Sequence, residues 1–105
     1  TIDKTEALTA IDVNSGKFTG KENIEKTALK VNKEASIEIA KQLRLRDIGG
    51  IIIIDYIDMN EESSREEIMN LLKNSLKADR AKTQIVDFTK LSLLEITRKH
   101  MFSGE

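Results

Sequence analysis

Ile51-Ile52-Ile53-Ile54-Asp55-Tyr56-Ile57 (residues 51–57) decides the fold. Four β-branched residues in succession, with no polar alternation, predict a strand covered on both faces by helices and therefore central in a sheet. Gly49-Gly50 precedes it and supplies the stop of a long helix, whose apolar residues Ile24, Ala28, Val31, Ala35, Ile39 and Leu43 recur every three or four positions. Thr19 with Glu22 offers that helix a capping-box start. Its other face carries Glu25, Lys26, Lys30, Lys33, Glu34, Glu38 and Lys41, a stripe read as solvated.

Upstream, Ala7-Leu8-Thr9-Ala10-Ile11-Asp12-Val13 reads as a strand ended by the turn residues Asn14-Ser15-Gly16, with Lys17-Phe18-Thr19 as a short return strand. Downstream, Ser63 or Ser64 with Glu66 or Glu67 opens a second helix carrying Ile68, Leu71, Leu72, Ser75 and Leu76 on one face and ending near Asp79-Arg80. Thr83 to Phe88 follows as a third strand. Leu91 to Thr97 is a fourth strand or the start of a helix, because it mixes two periods. The βαβαβ order predicts an α/β domain with a mixed sheet of about four to five strands and two main helices.

The 105 residues suffice for one domain, 1–105, with one modest core. Seventeen Lys and Arg against eighteen Asp and Glu leave a net charge of −1, so any nucleic-acid contact must be local. The four aromatics, Phe18, Tyr56, Phe88 and Phe102, are too few for a base-stacking platform. The absence of cysteine removes disulfides, thiolate zinc sites and a cysteine nucleophile, and fits a cytoplasmic setting. The longest apolar run falls far short of the roughly 20 residues of a membrane helix. Thr1-Ile2-Asp3-Lys4 shows neither a signal-peptide pattern nor an initiator methionine, and the chain is expected to be a piece of a longer one.

In open α/β sheets ligands gather outside the carboxyl ends of parallel strands. Asp12 and Asp55 each close a strand after apolar residues, and a crossover through the long helix would make those strands parallel. The two carboxylates would then share a rim, repelling unless a proton or cation intervenes. A hard divalent ion such as Mg²⁺ suits one or two carboxylates completed by waters and phosphate oxygens. Asn14, two residues beyond Asp12, would project to the same side and orient a carboxylate or water. The competing reading makes these aspartates turn or helix caps. Asp58, just before the second helix, fits a cap or a support of the turn after Tyr56-Ile57 better than a ligand. His100, the sole histidine, reads as a surface residue, and there is no GxxxxGK or GxGxxG loop. Arg44 and Arg46, then Lys77, Arg80 and Lys82, then Arg98, Lys99 and His100 are the local basic groups available for phosphate contact.

Thr5 to Gly16, Gln42 to Gly50, Ile51 to Met59, Asp79-Arg80-Ala81-Lys82-Thr83-Gln84 and Leu93 to Lys99 together resemble the bacterial ribonuclease E/G family. The ordered blocks cover nearly the whole chain and match the metal-bearing, deoxyribonuclease-I-like subdomain. The resemblance implies Asp12 and Asp55 as Mg²⁺ ligands, with Mn²⁺ as a substitute, and Asn14 as their polar partner. It implies endonucleolytic hydrolysis of single-stranded RNA leaving 5′-phosphate and 3′-hydroxyl ends, with no histidine required. The family's Cys-Pro-x-Cys zinc-linking motif has no counterpart here, nor do its oligonucleotide-binding-fold, 5′-sensing and ribonuclease-H-like regions. The isolated chain is therefore expected to be weakly active or inactive and prone to self-association, within a homo-oligomeric parent. The rivals are a non-catalytic RNA-binding or assembly module with structural aspartates, and a protein-interaction domain using the charged helix face from Glu25 to Lys41.

Overall fold

Apolar periodicity becomes architecture in a computed structural model of the chain, which describes residues 1–4, 8–13 and 24–99. The elements run β1 (Ile2–Lys4), β2 (Leu8–Asp12), α1 (Ile24–Leu45), β3 (Gly50–Asp55), α2 (Glu62–Ser75), β4 (Thr83–Phe88) and β5 (Leu93–Arg98). They form a five-stranded mixed sheet in the order β1-β2-β3-β5-β4, with β3 at its centre. β2 and β3 are parallel and α1 is their crossover, whereas β1/β2, β3/β5 and β4/β5 pair antiparallel. The α/β mixed sheet expected from the sequence is thus present. β1 adds a strand that periodicity does not reveal in three residues, and residues 93–98 resolve their mixed pattern as a strand. The return strand at 17–19, the cap at Thr19 and Glu22, Asn14 and His100 lie outside the described residues.

The helices cover one face of the sheet. Thr9, Ile11, Ile52, Ile54, Leu94 and Ile96 are buried, and the apolar members of this row form one core with Ala28, Ile39 and Leu43 of α1 and Ile68 and Leu72 of α2. Each large aliphatic chain so buried contributes about 1.5–3 kcal/mol. The alternate residues face the other way, and there the expectation of two-sided burial fails: Ile51 is 44% exposed and Leu8 42% exposed. Ile52 and Ile54 are central to the core, while Ile51 and Ile53 have no helix over them among the described residues. A run of β-branched residues reports a strand without reporting how many of its faces are covered.

Two helix ends also differ from expectation. α1 stops at Asp47, not at the glycine pair: Asp47 takes a left-handed φ of 47°, and the Ile48 N–H donates to the Leu43 carbonyl at 3.0 Å. The Asp47 N–H donates to Arg44 O at 3.3 Å, completing a six-to-one, five-to-two C-terminal motif with Ile48 packed inside. At α2 the N-cap residue is Glu61, with no side-chain cap of its own. Instead Glu25 of α1 accepts from the backbone N–H groups of Asn60 (2.7 Å) and Glu61 (3.3 Å). The hydrogen bond from Asn60 outweighs desolvation and lowers the pKa of the Glu25 carboxyl. Lys33 pairs with Glu67 on α2. Two members of the stripe read as solvated therefore join the helices.

Candidate metal centre

Parallel pairing of β2 with β3 sets Asp12 and Asp55 opposite each other as the last register pair of the two strands. Neighbouring strands run about 4.8 Å apart, so this places two carboxyl-bearing Cα atoms side by side. Alternation aims both residues to the side of the sheet that no helix covers among the described residues, with Leu8, Ala10, Ile51 and Ile53 behind them, and both are exposed. The backbone at this edge is tied down. Val13 N–H donates to Asp55 O at 3.0 Å, Asp12 N–H donates to Thr1 O at 3.0 Å, and the N-terminal ammonium donates to Asp12 O at 3.2 Å.

The electrostatics favour a cation at this edge. Partial burial raises the pKa of Asp55 above the usual carboxylate value, and the negative charges of Asp12 and Asp58 push it further the same way. Asp58 is exposed and lies three residues before the α2 cap at Glu61, so it is not the helix cap that its position suggested. Among the described residues no group of three His, Cys, Asp or Glu side chains converges on a metal position. The pair is thus a two-carboxylate arrangement of hard oxygen donors, which fits a Mg²⁺-class ion completing its shell with water and substrate oxygens.

The basic groups distribute differently from expectation. Arg98 is not a surface cation: its side chain is 1% exposed and is held by Asp79, Asp47 and the Ile48 carbonyl. Lys99 and Lys82 are exposed, but they lie at the far end of the sheet, where Arg98 pairs with Gly50. Five residue steps at about 3.3 Å separate that end of β3 from Asp55, roughly 16 Å. Nearer the carboxylates is a cleft of about 580 Å³ that includes Arg65, Lys90 and Ser92, the last adjoining the Asp55 register partner Leu93. No motif marks Arg65 and Lys90 in the sequence, since the β3–β5 register brings the turn carrying Lys90 to this edge and the first turn of α2 brings Arg65 beside it.

The statistical description of the Ribonuclease E/G family matches residues 1–101. The chain belongs to the ribonuclease E/G family. It is 51% identical over 98 residues to Ribonuclease G of Salmonella typhimurium, covering 93% of this chain and 20% of the relative. It is 50% identical over 98 residues to Ribonuclease E of Synechocystis, covering 93% and 14%, and 48% identical over 100 residues to Ribonuclease E of Haemophilus influenzae, covering 95% and 11%. The chain thus spans a fifth or less of the length of these ribonuclease E/G relatives. No helix among the described residues is long and apolar enough to cross a membrane.

Proposed function

We propose that this chain is the metal-bearing catalytic subdomain, residues 1–105, of a longer cytoplasmic Mg²⁺-dependent endoribonuclease that hydrolyses single-stranded RNA. The observation that carries the reading is the in-register pair Asp12 and Asp55 at the carboxyl edge of two parallel strands, in a chain of the ribonuclease E/G family. Asp12 and Asp55 would hold the ion, with Asn14 in the role of polar partner that the family resemblance implies for it. Bound there, Mg²⁺ (or Mn²⁺) would offset negative charge at the scissile phosphate and make the attacking water more acidic. Water oxygen bonds to phosphorus as the P–O3′ bond breaks, and the departing oxygen takes a proton, giving 3′-hydroxyl and 5′-phosphate ends. The described cations closest to the carboxylate edge are few, so the isolated chain binds RNA weakly and cuts it poorly. The apolar strip of Leu8, Ile51 and Ile53 beside the site supports self-association through a second copy, within a homo-oligomeric parent.

The metal half of this reading is tested by titrating Mn²⁺ into the chain and following paramagnetic broadening of assigned backbone amides. Loss of signal first around Asp12, Asn14 and Asp55, abolished by Asp55→Asn, is the expected result. Broadening spread over the acidic helix faces, unchanged in Asp55→Asn, would overturn it.

A further inference from the structure

Asp55 is the last residue of β3, and the chain leaves the ladder immediately after it. What holds Tyr56 and Ile57 is a polar group set in the apolar face of α1. Asn32 is fully buried, its Nδ2 donates to the Ile57 carbonyl at 2.9 Å, and the Ile57 N–H donates back to its Oδ1 at 3.1 Å. One carboxamide thereby makes the two bonds that a neighbouring strand would have made. Ser36, also fully buried, stands 2.6 Å from the Tyr56 hydroxyl, and its own proton goes to the Asn32 carbonyl at 2.8 Å. With that proton committed, Tyr56 donates to Ser36 Oγ. The Tyr56 ring is 2% exposed and leans on Phe88, ring centres 6.1 Å apart. Burial raises the tyrosine pKa to about 12, so the hydroxyl remains a neutral donor.

We propose that Asn32, with Ser36 and Tyr56, acts as a positioning device that fixes the Asp55 carboxylate for divalent-metal binding. The inference rests on the metal reading given above. Successive residues of an extended chain point to opposite sides, so anchoring the Tyr56 ring and the Ile57 amide against α1 fixes the backbone orientation that aims Asp55 outward. Without a cation the charges of Asp12 and Asp58 bear on Asp55, and among the described residues the segment after Asp55 has no ladder partner to resist that force. The carboxamide and the two hydroxyls supply the resistance. Three polar groups within a helix–sheet layer are costly unless satisfied, and among the described residues all three are satisfied by one another and by the segment after Asp55.

The test is Mn²⁺ broadening of the Asp12 and Asp55 amides in four variants of the chain beside the unsubstituted one. Asn32→Ala is expected to raise the Mn²⁺ concentration needed for half-broadening about tenfold, and Tyr56→Phe, which keeps the ring and loses only the hydroxyl bond, about two- to threefold. Leu72→Ala, a cavity in α2 away from Asp55, serves as a destabilised control that leaves the titration unchanged, and Asp55→Asn abolishes it. If Asn32→Ala and Tyr56→Phe titrate like the unsubstituted chain, or Leu72→Ala shifts the titration as much as they do, the positioning role is overturned while the carboxylate site stands. If the unsubstituted chain and Asp55→Asn broaden identically, the carboxylate site itself falls and this inference with it.

Discussion

Asp55→Asn is expected to lower the rate of RNA cleavage by the full-length enzyme at least about a hundredfold, close to 3 kcal/mol of barrier, while raising the thermal stability of the metal-free chain at neutral pH. The loss would follow from removing one of the two carboxylates proposed to hold the ion. The gain follows from electrostatics. Burial, then the charges of Asp12 and Asp58, raise the Asp55 pKa in the folded chain above the ordinary aspartate value of 3.8. The folded state therefore holds this proton more tightly than the unfolded state does. Its stabilising contribution is complete below the unfolded pKa and disappears as pH rises through the folded pKa. At neutral pH the carboxylate is ionised at a cost that asparagine does not carry, so the variant melts higher there and the difference closes as pH falls below the aspartate range. Added Mg²⁺ should raise the melting temperature of the unsubstituted chain and leave Asp55→Asn unmoved.

Asp12→Asn should act in the same two directions, because it removes the other proposed ligand and one of the charges that press on Asp55. RNA affinity, measured without turnover, should survive both substitutions. These opposed signs separate the catalytic reading from its rival. Aspartates with a purely structural role would show the reverse pattern, with stability and RNA binding falling together and cleavage tracking the folded fraction. Thermal melts with and without Mg²⁺, beside single-turnover cleavage by the full-length enzyme, read both quantities.

The pairing of Asp12 with Asp55 was legible in the sequence because it depends on two local facts, Ala-Ile-Asp and Ile-Ile-Asp at strand ends, and on one topological fact, a helix crossover between them. Parallel pairing then brings Asp12 beside Asp55 with no further information. What was not legible depends on distant partners. Gly49-Gly50 looked like the stop of α1, but Asp47 takes the left-handed position, and its carboxylate bonds Arg98 fifty-one residues away. Ser63 and Ser64 looked like caps of α2, but the anchoring carboxylate is Glu25, thirty-five residues before Asn60. Four isoleucines in a row conceal the alternation that would have shown β3 to be covered by helices on one side only among the described residues. Asn32 and Ser36 did leave a mark, since both fall on the apolar stripe at four-residue spacing from Ala28, but a polar residue on such a stripe names no partner until the fold supplies Tyr56 and Ile57.

Arg98→Met is expected to destabilise the chain by about 3–5 kcal/mol, the range for removing one member of a buried ion pair, and to lower its melting temperature by roughly 15 °C or more. Arg98 ends β5 with its side chain 1% exposed, beside an Asp79 side chain that is 5% exposed. Its Nε and Nη2 donate to the two Asp79 oxygens at 2.8 and 3.2 Å, and its Nη1 donates to Asp47 at 2.9 Å and to the Ile48 carbonyl at 3.0 Å. One guanidinium thus closes the β5 end against the α1–β3 turn and the α2–β4 connection. Although burial alone would push the Asp79 carboxyl up, the hydrogen bonds and charge of Arg98 hold it below the usual aspartate range. Its stabilising contribution is therefore present above the unfolded pKa and lost as pH falls through the folded one, so acid should abolish much of the difference between Arg98→Met and the unsubstituted chain. Arg98→Lys retains charge but cannot reproduce the forked contact, and most of the loss should remain. Asp79→Asn made together with Arg98→Met removes the stranded charge and should recover part of it, because the penalty in the single variant lies in the uncompensated carboxylate more than in the missing attraction. If the double variant melts no higher than Arg98→Met alone, the contribution of Arg98 lies in packing and in its bonds to Asp47 and Ile48, not in its pairing with Asp79.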